Sequence, residues 1–201
     1  SKDPYESADF YQGLFSAYDI DAKWLPLTPA LAKAMAVQDC QGLDKYRQQI
    51  NGIFKREQVY PDLIKQEQAL CAKGAEYLKS MISSVGAVMF NGGDQSLTKQ
   101  VMFDGETGGA YPWKEALAEV PVIIGTSAGT AVQSGNGVPM ITNGSSYNAI
   151  EYGAIAAPAP SETCLQNNSC GKHPADQLTF DTQGGLGSFS MATLDTHFSE
   201  R

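Results

Sequence analysis

The chain has 201 residues, 42% of them hydrophobic and 18% charged, with a formal net charge of -8. That is the make-up of a folding chain with a core, not of a disordered one. The excess of carboxylates excludes a nucleic-acid surface, which needs clustered Lys and Arg, and no apolar run is long enough to span a bilayer.

In chain order, Asp3 to Tyr18 reads as a helix with Ala8, Tyr11, Phe15 and Tyr18 on one side. Residues Asp21 to Leu27 alternate weakly and are read as a strand leading into a Pro-rich loop. Thr28-Pro29 opens the next helix, with Pro at its first position, and that helix ends near Gly42. Residues 43–84 are mostly helical. Pro61 starts a long helix whose apolar face is Leu63, Leu70, Tyr77, Leu78, Met81 and Ile82.

The character then changes. Ala87-Val88-Met89-Phe90 is a short apolar run that stops at Asn91-Gly92-Gly93-Asp94, as a buried parallel strand does when it meets a loop and a helix, here Gln95 to Phe103. A helix over Trp113 to Glu119 precedes a second buried strand, Val120 to Ile124. Residues 134–187, rich in Gly, Asn, Ser and Pro, read as a long surface excursion. Within it, Asn143-Gly144-Ser145 and Asn167-Asn168-Ser169 match glycosylation sequons, short patterns that recur by chance. Phe189 to Asp195 reads as a last strand. The alternation of strands and helices predicts one α/β domain over residues 1–201, a three-layer sandwich with a mostly parallel sheet.

Four cysteines are present. Cys164 and Cys170 have the spacing of a local disulfide, leaving Cys40 and Cys71 for a second, and disulfides favour a periplasmic or secreted protein; four free buried thiols are the plain alternative. With no C-x-x-C pair and two histidines, a zinc site is poorly supported.

The chemistry concentrates at Gly125-Thr126-Ser127-Ala128-Gly129, a G-x-S-x-G sequence between a strand and a helix of small residues. In that setting a sharp turn, the nucleophile elbow, projects Ser127, and the Ala128 N–H at the helix start can stabilise an oxyanion. A Gly-Ser turn without catalysis is the alternative. A serine hydroxyl needs a base. His173 lies in the polar excursion, whereas His197 follows an apolar run and is the better base. The paired glycines at 92 and 93 let the backbone approach a ligand, and Gly93 can give a second oxyanion N–H. Asp94 can cap the helix that follows, and Gln95 can hydrogen-bond a substrate.

Three motifs in order, Phe90-Asn91-Gly92-Gly93-Asp94-Gln95, Gly125-Thr126-Ser127-Ala128-Gly129-Thr130-Ala131, and Asp195-Thr196-His197-Phe198 followed by Arg201, resemble those of cyanophycinases. These are serine peptidases related to the α-aspartyl dipeptidase called peptidase E. The match spans roughly residues 85–201. The resemblance implies a class I glutamine amidotransferase-like fold, a Ser-His-Glu triad with Ser127 as nucleophile and His197 as base, and substrate contacts from Gln95, Asp195 and Arg201. It implies cleavage of cyanophycin, a poly-aspartate backbone carrying amide-linked arginines. The chain departs from the family at Thr196, where Gln often stands. The family's acid is expected beyond Arg201 and its opening strand ahead of Ser1, so the chain reads as a piece of a longer protein or as a cleavage product whose second chain could supply the acid. A homodimer is also compatible. No metal or organic cofactor is required for such a triad. Alternatives are a dipeptidase or other acyl hydrolase of the same fold, and a non-catalytic member that binds a ligand.

Overall fold

The structure is a computed structural model and describes residues 3–53, 55–156 and 176–197. It is a mixed α/β protein that divides into two compact units. One unit holds Ser1–Val88 and Gln100–Val122, the other Met89–Lys99 and Ile123–Arg201.

The first unit is helical: α1 (Pro4–Ala17), α2 (Pro29–Ala36), α3 (Leu43–Asn51), α4 (Arg56–Val59) and α5 (Pro61–Ser83). Helix starts follow local chemistry. Asp3 caps α1 through the Tyr5 N–H, Thr28 caps α2 through the Leu31 N–H, and Pro opens α1, α2 and α5. The residues Asp21 to Leu27 form no strand. Their backbone closes on itself, with Ala22 N–H donating to the Ile20 carbonyl at 2.8 Å and Leu27 N–H to the Leu25 carbonyl at 2.7 Å, leaving no ladder to build. The expected helix up to Gly42 ends at Ala36, and a 3₁₀ turn occupies Cys40–Gly42.

The first core contains Tyr5, Ala8, Ile53, Leu63 and Ile64, with Trp24 and Tyr60 against it. Joined to this core through Tyr5, the carboxylate of Glu67, 0% exposed, uses both oxygens. Its Oε1 accepts from the Thr28 hydroxyl at 2.6 Å. Its Oε2 accepts from the Tyr5 hydroxyl at 2.7 Å and from Arg47 Nη2 at 2.7 Å. A buried charge is tolerable only when paired and hydrogen-bonded, and this network ties α1, α3 and α5 to the cap of α2. Burial and the neighbouring Glu67 charge push the Tyr5 phenol far above its ordinary range, so it stays a donor. The anchoring of Tyr5 also decides which side of α1 is buried: Tyr5 and Ala8 are, while Tyr18, an expected face residue, is exposed.

Helix α5 is interrupted at Gly74, whose φ of 81° and ψ of -178° leave the helical region. Beyond it Leu78 and Ile82 are buried, but Tyr77, an expected core residue, is 41% exposed, with Lys73 Nζ 4.2 Å from its ring centre. Cys40 and Cys71 form a disulfide, with Cα atoms 5.8 Å apart. Cys164 and Cys170 lie outside the described residues. The segment expected as a helix from Trp113 is a 3₁₀ helix over Lys114–Glu119, with the Trp113 indole donating to the Val101 carbonyl at 2.8 Å.

The second unit is built on short strands. β1 (Ala87–Phe90) and β2 (Val122–Gly125) pair as a two-stranded sheet, and the boundary between the units falls within both. Neither strand is buried throughout as expected: Val122 is 49% and Ile124 46% exposed. Between them in sequence, α6 (Gln95–Lys99) is shorter than the expected Gln95 to Phe103. After the turn comes α7 (Ala128–Ala131), which packs on α6. The described part of 134–187 is not only surface loop. It holds β3 (Met140–Asn143), α8 (Ser146–Tyr152), β4 (Ile155–Ala156) and β5 (Thr179–Asp181). These strands form a second sheet in the order β3-β5-β4, antiparallel between β3 and β5 and parallel between β4 and β5. Met140, Thr142, Gln177 and Thr179 are buried there, and the Thr142 and Thr179 hydroxyls pair at 2.7 Å. Residues Phe189 to Asp195 form no strand beyond one parallel bridge from Phe189 to Ser134. Among the described residues no helix is long and apolar enough to cross a membrane.

Closing the 31-residue separation with the Cys40–Cys71 bond restricts the unfolded chain, by about 3–4 kcal/mol on the loop-entropy relation. The double variant Cys40→Ser, Cys71→Ser is expected to lose stability on that scale in urea unfolding, and an unchanged midpoint would refute the role. A second test uses pH. The N–H groups of Thr107 and Glu106 donate to Asp104 Oδ1 at 2.8 and 2.9 Å, and Lys33 lies 3.4 Å from Oδ2. Led by the Thr107 bond, they hold the Asp104 carboxyl down at about 2. A lowered folded value means stability that is full above the ordinary carboxylate value of 3.8 and lost as pH falls toward 2. Asp104→Asn is therefore expected to lower the urea midpoint at pH 6, with the gap to the native protein narrowing as pH falls below 3.8 and closing toward 2.

Candidate active site

Strand β2 delivers Thr126 and Ser127 to the start of α7. Ser127 has φ 52° and ψ -121°, a conformation costly for a residue with a side chain. The surrounding glycines explain how it is held. A Cβ at Gly129 would lie 2.1 Å from the Phe90 carbonyl oxygen, and one at Gly125 would lie 2.3 Å from the Gly129 oxygen. The end of β1 thus presses directly on the first turn of α7, and the Thr126 N–H donates to the Phe90 carbonyl at 3.2 Å. Only glycine permits that approach, and the turn between β2 and α7 has no slack to relax into an ordinary backbone.

Ser127 Oγ lies 2.7 Å from His197 Nε2, a hydrogen-bonding distance between residues 70 apart in sequence. Both belong to the second unit. His197 is exposed and has a positive φ of 58°. The first-turn N–H of Ala128 has no acceptor inside a helix, and it sits beside the Ser127 hydroxyl by chain connectivity. The N–H of Gly129 is used within the turn, donating to the Thr126 carbonyl at 2.9 Å.

The loop after β1 flanks this pair. Gly92 faces the serine: a Cβ there would stand 3.1 Å from Ser127 Cβ and 3.7 Å from Oγ. Gly93 has φ 130°, which glycine alone adopts readily. Asp94 caps α6, its Oδ1 accepting from the Ser96 N–H at 2.8 Å and from the Leu97 N–H at 3.3 Å. Gln95 is buried, and its Nε2 donates to the Ile141 carbonyl at 2.8 Å, tying α6 to β3. That nitrogen is engaged inside the unit, not held out toward solvent. Asp195 is exposed, with Oδ1 accepting from the Thr196 N–H at 2.7 Å. Arg201, His173 and the sequon at Asn167 lie outside the described residues.

A hydroxyl on a strained turn at 2.7 Å from an imidazole nitrogen, with a helix-start N–H next to it, can perform nucleophilic acyl transfer. Gly92 was legible as a place of close backbone approach, but its contact with Ser127 was not. Gln133 and Ser134 carried no signal in the sequence, because the contacts that link them to the His197 segment, from Ser188 and Leu194, span more than fifty positions. Among the described residues no group of three or more His, Cys, Asp or Glu could hold a metal ion. No known family model matches the chain, and no solved structure matches it.

Gly129→Ala forces its methyl against the Phe90 carbonyl. Overpacking of this kind costs about 1–3 kcal/mol. Thermal melting is expected to show that loss, whereas Gly13→Ala, with open space around the added methyl and better helix propensity, holds or raises the melting point. Equal melting points for the two variants would contradict the close approach.

Proposed function

We propose that the chain is a serine-type peptidase resembling cyanophycinase, acting on cyanophycin or related Asp-containing peptides. The observation that carries the reading is the 2.7 Å separation of Ser127 Oγ and His197 Nε2 at a turn with φ 52°. With the imidazole proton on Nδ1, Nε2 accepts from the serine hydroxyl. Oγ attacks the scissile carbonyl carbon as Nε2 takes the proton, and the carbonyl π electrons move onto oxygen. The N–H groups of Ala128 and Gly93 hold that oxyanion. Collapse of the intermediate expels the amine, which takes the proton back from His197, and water then releases the acyl group by the same steps in reverse.

The class I glutamine amidotransferase-like, three-layer architecture belongs to this reading. In its favour, the loops after β1 and β2 lie side by side, so two of the three motifs meet at neighbouring strand ends. A triad acid and the contacts of Asp195 and Arg201 with substrate belong to it as well. The excess of acidic groups suits a substrate bearing guanidinium groups. The Cys40–Cys71 bond supports a protein of the periplasm or the exterior.

Incubation with cyanophycin, and separately with isoaspartyl and aspartyl dipeptides, tests the proposal against Ser127→Ala. The native protein is expected to release dipeptides or amino acids, and the variant to lose at least about 10³-fold in kcat. Turnover of dipeptides alone would move the substrate to the dipeptidase class. Binding of cyanophycin without turnover by either protein would favour a ligand-binding role, and equal turnover by both would end the serine mechanism.

A further inference from the structure

The segment that carries His197 has little regular structure of its own, so something else must hold the imidazole at the serine. Residues 185–189 run along the chain that leaves α7. The Leu186 N–H donates to the Val132 carbonyl at 2.6 Å, the Phe189 N–H to the Gln133 carbonyl at 2.9 Å, and the Gly135 N–H to the Phe189 carbonyl at 3.2 Å. After Phe189 the segment bridges nothing as a strand. It is caught again three residues before His197, where the Leu194 N–H donates to the Ser134 hydroxyl at 2.9 Å. Ser134 is 0% exposed, and its backbone is fixed on both sides, N–H to the Ala131 carbonyl at 3.3 Å and carbonyl from the Gly185 N–H at 2.6 Å. The neighbouring Gln133 reaches the elbow itself, its Nε2 donating to the Gly129 carbonyl at 3.0 Å.

We propose that Ser134 is a positioning residue for the Ser127–His197 pair: its buried hydroxyl latches the His197 segment to the chain that begins at Ser127. The inference rests on the proposed serine mechanism. Ser127 and Ser134 are joined by a single rigid turn and its exit, so the latch references the base to the same short piece of backbone that presents the nucleophile. Loss of the hydroxyl leaves the Leu194 N–H without its buried acceptor and loosens the attachment of the segment that leads to His197. Small displacements at this point are enough to slow proton transfer.

The experiment compares the native chain with Ser134→Ala, His197→Ala and the double variant, reading the rate at which a fluorophosphonate labels Ser127. Ser134→Ala is expected to label roughly 10- to 100-fold more slowly at an unchanged fold, with added imidazole restoring part of the rate. In the His197→Ala background, Ser134→Ala is expected to have no further effect, because it acts through the missing ring. Equal labelling of Ser134→Ala and native protein, or additive losses in the double variant, would overturn the latch. Amide exchange at Leu194 reads the latch independently of any reactivity: protection in the native chain, lost in Ser134→Ala, is the expected result. A Leu194 amide that exchanges in the native chain as fast as in an unstructured peptide would overturn it even if Ser134→Ala does not fold. A native chain that fails to label at all while Leu194 stays protected would refute the serine mechanism and leave the latch standing.

Discussion

The second unit depends on one steric constraint, the contact of the Gly129 backbone with the Phe90 carbonyl. Because the first turn of α7 sits against the end of β1 with no room for a methyl group, β2 must turn abruptly, and the residue at the apex takes a left-handed conformation. The Ser127 side chain lies beside Gly92, where a Cβ would stand 3.1 Å from its Cβ, and its hydroxyl is directed at His197 Nε2, 2.7 Å away. The strain at Ser127 and the bareness of Gly92 are two outcomes of one close approach, and together they make an accessible hydroxyl whose direction is fixed.

The first unit solves a different problem. Glu67, Arg47, Tyr5 and Thr28 bury a charge pair and two hydroxyls among helices, and every oxygen of the carboxylate has a donor. Replacing such a network with apolar side chains often stabilises a fold, whereas removing one partner leaves a buried charge uncompensated, so these four residues stand or fall together. Its residues are engaged with each other, which leaves the reactive geometry to the unit that carries Ser127.

What could be seen in the sequence is what local rules decide. Thr28-Pro29 and Pro61 mark helix starts, Asp94 reads as a cap, and the glycines of Gly125 to Gly129 announce a tight turn, because each of these effects acts within a few residues. The Cys40–Cys71 pairing was legible only by elimination among four cysteines. The sheet of β3, β4 and β5 was hidden, since strands of two to four residues show no period. Tyr77 was assigned to the core by a helical period that Gly74 interrupts. The region after Phe189 was read as a strand from its apolar composition, yet its hydrogen bonds go to Gln133 and Ser134 at the exit of α7, a long-range choice that no window of sequence can reveal.

The break in α5 has its own consequence. A helix melts as a unit when each carbonyl supports the amide four residues on, and at Gly74 that ladder is interrupted. Opening of the stretch from Ala75 to Ser83 therefore need not pass along the backbone into the turns that hold Glu67 and Cys71, and its cost is set by exposing the buried Leu78 and Ile82.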